Sequence, residues 1–286
     1  MAGGRPGAPG QPAAGARDYA GCLQQEGLRG ARLGVLRSKF EEPLRLLPLG
    51  VEQQWQQLLG AEASRVLLQE ACLAPLEAAG AELVDVELWK NGEVEALFPG
   101  GEGELSAVYE KTLAYEFARD IGRYLSTRAP PCPALAPRPF LPAKLEDLVI
   151  FNLNHKDEEL NLFGQELFEG ALKVAGTMSE AEHAELSARL RRAGGRDGID
   201  RLLREHGLDA LVCPGDHGSF PASVCGHPVV TVPAGVARGL PFGIAFVGTA
   251  YSEATLLRLA YAFERATLAR RRPRFLPGLE PAAAGA

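Results

Sequence analysis

Three side chains that could take part in hydrolysis lie close together after an apolar segment. Asp216, His217 and Ser219 follow the run 209–214, so an acid, a base and a hydroxyl fall within four residues. Ligands of α/β proteins usually bind where strands end, and we expect these residues and Phe220 to contact a ligand. An ordinary turn is the competing interpretation, because triads are assembled from distant segments and short polar residues favour turns.

Other motifs argue against several kinds of site. The chain has no GxSxG elbow, no HExxH pair among its five histidines and no phosphate-binding glycine loop after a strand. Its five cysteines are odd in number and include no CxxC, so we predict neither a zinc site nor a disulfide framework. An independent hydrolase that uses Cys213 or Cys225 with His217 or His227 is a further, weaker hypothesis.

Composition and charge narrow the functional classes. The 286 residues are 46% hydrophobic and carry a formal charge of -6, which does not favour binding to nucleic acid or to an acidic membrane. The apolar runs are shorter than the roughly 20 residues of a membrane span, and the chain does not open on a secretion signal. We therefore expect a cytoplasmic protein that binds neither nucleic acid nor membrane.

The elements that must position these residues alternate between strands and helices, which predicts an α/β fold. The helix over 105–125 should direct Val108, Leu113, Phe117, Ile121 and Tyr124 inward, because these residues recur at helical spacing. Residues 1–17 are predicted to be a disordered leader, 18–277 one domain and 278–286 a disordered tail. The predicted strands are 32–36, 83–88, 209–214, 227–233 and 242–247, and the other helices are 51–79, 145–160, 163–174, 179–193, 197–206 and 252–268.

Several stretches resemble, in order, the C-terminal half of the amidase signature family. They include Gly198-Ile199-Asp200 and Gly226-His227-Pro228, where the family commonly has Gly-Tyr-Pro. The others are 28–36, 151–152, 162–168, 209–214, 229–233, 239–248 and 253–257. The resemblance implies the C-terminal half of the amidase-signature fold, a mixed β-sheet covered by helices. A half-sheet of this kind is expected to leave a strand edge and an apolar face uncovered.

The same resemblance implies a reaction and its limits. Members of the family hydrolyse carbon–nitrogen amide bonds with a Ser–cis-Ser–Lys triad and need no metal or organic cofactor. This chain has no Ser-Ser pair, and its six lysines lie in the portion that follows the family's catalytic loop. We therefore assign no catalytic residue and expect the chain to be inactive alone.

If a complementing N-terminal half is supplied, a small-molecule amide is the implied substrate, and Asp216, His217, Ser219 and Phe220 are the expected pocket wall. A homo-oligomer is the other assembly that the resemblance leaves open. The alternative function is a non-catalytic binding or regulatory remnant of an amidase.

Overall fold

A computed structural model of the protein describes residues 18–41, 66–89, 94–127, 142–215, 219–237 and 240–272. The strands are β1 (Arg32–Leu36), β2 (Glu82–Val86), β3 (Ala210–Pro214), β4 (Val229–Ala237) and β5 (Leu240–Val247). The α-helices are α1 (Arg37–Glu41), α2 (Ala74–Ala78), α3 (Gly101–Ser126), α4 (Leu145–Asn154), α5 (Lys156–Glu159), α6 (Glu166–Ala175), α7 (Glu180–Gly194), α8 (Asp200–His206), α9 (Ser219–Cys225) and α10 (Glu253–Thr267). A 3-10 turn covers Ala20–Cys22, and π-helical segments cover Gln69–Leu73 and Gly195–Ile199.

The five strands form one mixed sheet in the order β2-β1-β3-β5-β4. β1 pairs in parallel with β2 and β3, whereas β5 pairs antiparallel with β3 and β4. The predicted α/β class and mixed sheet are therefore confirmed. Because the parallel strands end at the same edge, the residues that follow Leu36, Val86 and Pro214 emerge on one side of the sheet.

The hydrophobic core lies against one face of this sheet. Val35, Val212 and Phe246 are register neighbours on that face, and all three are buried. Helix α10 covers them, and its Phe263 ring meets the Phe246 ring edge-on with centroids 6.2 Å apart. Burial of each such side chain stabilises the fold by roughly 1.5–3 kcal/mol.

The central strands are buried on their second face as well. Leu211 and Cys213 of β3 and Ala245 and Val247 of β5 alternate with the core residues and are almost inaccessible to solvent. The expectation of an uncovered apolar sheet face is therefore wrong for these strands. Leu202 and Leu208, in the segment that leads into β3, are buried as well.

The outer edge of β4 fits the expected open strand edge, since within the described residues it pairs only with β5. Its ladder shifts register between Pro233 and Gly235. Proline has no amide hydrogen to donate, and a Cβ at Gly235 would lie 2.6 Å from the Phe242 ring. These features interrupt regular pairing along an otherwise apolar edge.

The chain divides into two compact units. The first comprises Met1–Leu88, Ile199–Ala222 and His227–Ala286 and contains the sheet; the second comprises Trp89–Gly198 and Ser223–Gly226. In the second unit α3 packs against α6 and α7. The side chain of Ser179 accepts a hydrogen bond from the Glu182 amide at 3.1 Å, which caps α7 at its N-terminus.

The predicted inner face of α3 is partly wrong. Leu113 and Tyr124 are 51% and 63% exposed. The buried positions are instead Gly101, Leu105, Thr112 and Leu125, because the neighbouring helices pack on an adjacent stripe. Phe117 does face a partner, since its ring lies 5.4 Å from that of Phe168 on α6.

Candidate functional site

The residues predicted to contact a ligand follow β3 at the carboxyl edge of the sheet. Gly215 turns the chain with a φ of 58° and donates its amide to the Gly243 carbonyl at 2.8 Å. Asp216 and His217 lie outside the described residues. Ser219 is the first residue of α9, and Phe220 is half-buried on the same helix. Their role as a pocket wall stays a prediction, whereas the strand end that carries them is established.

An arginine that sequence reasoning missed lies at the same edge. Arg37 directly follows β1, and its Nε and Nη2 atoms donate to Asp85 Oδ1 at 2.9 and 2.6 Å. Its Nη1 atom donates to Gln69 Oε1 at 3.3 Å. These bonds fix a half-exposed guanidinium beside the end of a parallel strand, where it can meet a carbonyl or carboxylate oxygen. A charged residue immediately after a buried strand is the signal that could have pointed to it.

A second polar cluster lies at the opposite edge of the sheet, where β4 begins and β5 ends. Asp200, at the start of α8, accepts hydrogen bonds from His227 Nε2 at 2.8 Å and from Thr249 Oγ1 at 2.6 Å. The His227 side chain is 8% exposed and that of Asp200 is 30% exposed. Gly226, just before the histidine, has a φ of 77°, a conformation that favours glycine.

The geometry of this cluster assigns the donor of its central hydrogen bond. Because Nε2 of His227 faces a carboxylate oxygen, Nε2 carries the hydrogen. Nδ1 is buried and has no hydrogen-bond partner within the part of the chain that the structure describes. Thr249 donates to the carboxylate rather than to the ring, so the ring does not activate its hydroxyl. The cluster therefore ties α8 to the two strands and does not form a nucleophile–base pair.

The second compact unit, which we call the helical unit, contains a third cluster, built on His183 of α7. Glu116 Oε1 lies 2.9 Å and Ser187 Oγ lies 3.2 Å from the same ring atom, Nε2. A serine–histidine–acid relay uses both ring nitrogens, one for each partner, so this arrangement is not such a relay. Tyr115 stacks on the ring with centroids 4.8 Å apart. The cluster joins α3 to α7.

The buried thiols do not provide a nucleophile either. Burial, with a smaller contribution from neighbouring Cys213, raises the pKa of Cys72 to about 12. The Cys72 thiol is therefore protonated at neutral pH and unreactive. Cys213 is itself inaccessible on β3. Within the described ranges, no three His, Cys, Asp or Glu residues are grouped to hold a metal ion, and no helix is long and apolar enough to cross a membrane.

The sequence is similar to amidases over part of its length. No protein-family model matches it. A probable amidase of Arabidopsis thaliana is 37% identical over 134 residues, which is 46% of this chain and 26% of the relative. A glutamyl-tRNA(Gln) amidotransferase chain of Moorella thermoacetica is 45% identical over 74 residues, which is 26% of this chain and 15% of the relative.

The fold is similar over nearly the whole chain. The peptide amidase of Stenotrophomonas maltophilia superposes with a TM-score of 0.67 and 32% identity, covering 93% of this chain and 49% of that enzyme. The chain thus spans about half the length of this solved relative. The comparisons confirm the predicted resemblance, and they confirm that it covers only part of the relatives.

Proposed function

We propose that this chain, which is similar in sequence and fold to part of an amidase, is the non-catalytic half of an amide hydrolase. In this proposal the chain supplies strands, covering helices and part of the acyl pocket. The serine nucleophile, the bridging serine and the lysine base belong to polypeptide that lies outside these 286 residues. The single observation that carries the proposal is the 32% identity to a peptide amidase over 93% of this chain.

The reaction would be the cleavage of an amide carbon–nitrogen bond by water. A serine ester forms as the amine leaves with a proton, and water then releases the carboxylic acid. We propose that Asp216, His217, Ser219 and Phe220 line the acyl side of this pocket, since they follow β3 at the ligand-binding edge. Arg37 joins them, because it is held at the end of the neighbouring strand.

The partner and the compartment follow from the same proposal. The chain would assemble with a segment that resembles the N-terminal half of the relatives, and residues 18–277 would form the amidase-like part. The substrate would be a small-molecule amide. Cys22 and Cys72 are free thiols, which supports a reducing compartment such as the cytoplasm.

A non-catalytic binding or regulatory protein is the second candidate. It is as consistent as the first candidate with the finding that, within the described residues, neither histidine cluster activates a hydroxyl. Such a protein would bind an amide or an amidase without hydrolysing anything.

Translation of the transcript upstream of Met1 distinguishes the two candidates. A continuous frame that encodes a lysine and a serine- and glycine-rich loop supports the hydrolase, and the extended protein should then release ammonia from an amidated dipeptide. An in-frame stop immediately before Met1, together with no activity on mixing with other amidase segments, would favour the binding protein. Hydrolysis by the 286-residue chain alone would contradict both.

A further inference from the structure

The helical unit exposes large apolar side chains to which the proposed function assigns no role. Leu162, Phe163 and Leu167, around the start of α6, are 81%, 78% and 86% exposed. Ile150 and Leu153 on α4 are 55% and 53% exposed. We call these five residues the apolar patch. Side chains of this size in a cluster mark interaction surfaces, because a monomer gains nothing from holding them in water.

Hydrogen bonds of Gln165 join the two segments that carry the apolar patch. Gln165, between Phe163 and Leu167, is only 8% exposed and accepts a hydrogen bond from Asn152 Nδ2 at 3.2 Å. Its own Nε2 atom lies 3.5 Å from the Val149 carbonyl. These bonds attach the segment before α6 to α4. Ile150 and Leu153 are three residues apart and therefore share one face of α4.

The surroundings of the patch are acidic. Between positions 150 and 170 the chain carries a single lysine, Lys156, and five exposed carboxylates: Asp157, Glu158, Glu159, Glu166 and Glu169. Among the residues that the structure describes, none of the five takes part in a salt bridge. Glu169 Oε1 accepts a hydrogen bond from Gln165 Nε2 at 3.4 Å, and the charges of the other four are available to a partner from outside the chain.

We propose that the apolar patch is a docking surface for a basic amphipathic helix of a partner protein. Leucine-like side chains of the helix would cover Phe163 and Leu167, and its lysines or arginines would face the carboxylates. A helix fits better than a strand, because ranges 94–127 and 142–198 contain helices and turns but no strand edge to pair with. An anionic membrane fits poorly, since the acidic surroundings would repel its head groups.

The probe is a synthetic helix about four turns long, with leucine on one face and lysine on the other and a fluorescent label. Fluorescence anisotropy should show micromolar binding to the chain. The double variant Phe163→Ser, Leu167→Ser should weaken it about tenfold or more, because both anchors are lost. Leu268→Ser is the matched control, since Leu268 is a 67% exposed leucine of the other unit, and it should leave binding unchanged.

The acidic side chains around the apolar patch provide an independent test that leaves the patch residues unchanged. Glu158→Lys with Glu159→Lys should weaken binding several-fold, added salt should do the same, and a leucine–glutamate version of the probe should not bind. No binding of the lysine probe, or equal binding by the serine variant, would overturn the proposal. Preferred binding to anionic vesicles would overturn it as well. An upstream extension of the chain that abolishes probe binding would overturn it too, by assigning the patch to that extension.

Discussion

The buried bond between Asp200 and His227 makes a sharp prediction about stability. Asp200→Ala removes the carboxylate that accepts from the 8% exposed imidazole and from Thr249. Loss of a hydrogen bond to a charged group costs about 1.5–3 kcal/mol, and the exposed Thr249 bond adds about 1 kcal/mol at most. The imidazole would then have both ring nitrogens buried without a partner. We expect the free energy of unfolding to fall by about 2–4 kcal/mol.

Urea and thermal unfolding followed by circular dichroism would measure this loss. Since about 1 kcal/mol shifts Tm by roughly 2–4 °C in a chain of this size class, the variant should melt about 4–16 °C lower. Asp200→Asn keeps an acceptor oxygen and should recover most of the loss. Thr249→Val removes only the exposed bond and should cost less than about 1 kcal/mol. Equal stability of Asp200→Ala and Thr249→Val would show that the Asp200 carboxylate does not stabilise the buried His227 imidazole.

Three further predictions concern a pair of glycines, the cap of α7 and a buried thiol. Gly243→Ala places a Cβ 2.8 Å from the Val232 carbonyl oxygen and should lower the free energy of unfolding by about 1–3 kcal/mol. Gly103→Ala, on α3, meets nothing within 4 Å and should raise it by about 0.5–1 kcal/mol. Urea titration of both variants measures the two changes. Ser179→Ala removes the cap of α7 and should cost about 1 kcal/mol, with an unchanged Tm contradicting the cap. Cys72 should resist a thiol reagent in the native chain and react after denaturation, because its pKa is about 12; native labelling would refute its burial.

The sheet was predictable from sequence because its strands are short apolar runs next to turn signals. The run 209–214 is buried over Ala210–Pro214, and 32–36 matches β1 residue for residue. The helix predicted over 51–79 lies partly outside the described residues, and only its end is seen. The helix predicted over 145–160 is divided at His155, where the φ of -120° is not helical. Residues 154–159 are all polar or charged, so the apolar periodicity ends at Leu153, and this loss was the signal that the helix stops there.

The site was less predictable, because its contacts join residues far apart in the chain. Asp200 and His227 are 27 positions apart, and the sequence gives no hint that they meet. Both residues lie in stretches that resemble the family, but the resemblance does not predict a contact between them. Arg37 and Asp85 are separated by 48 positions and meet only because β1 and β2 are parallel neighbours. Packing against neighbouring helices also determines which face of α3 is buried, and it leaves the apolar residues Leu113 and Tyr124 exposed to solvent.

We propose that this chain supplies no activated nucleophile of its own. Treatment of the purified 286-residue chain with a fluorophosphonate, which reacts covalently with activated serines, followed by mass spectrometry, tests it directly. We expect no modification of any serine, including Ser187 beside His183 and Ser219 at the start of α9. A stoichiometric adduct on either serine, lost when the neighbouring histidine is replaced, would contradict it.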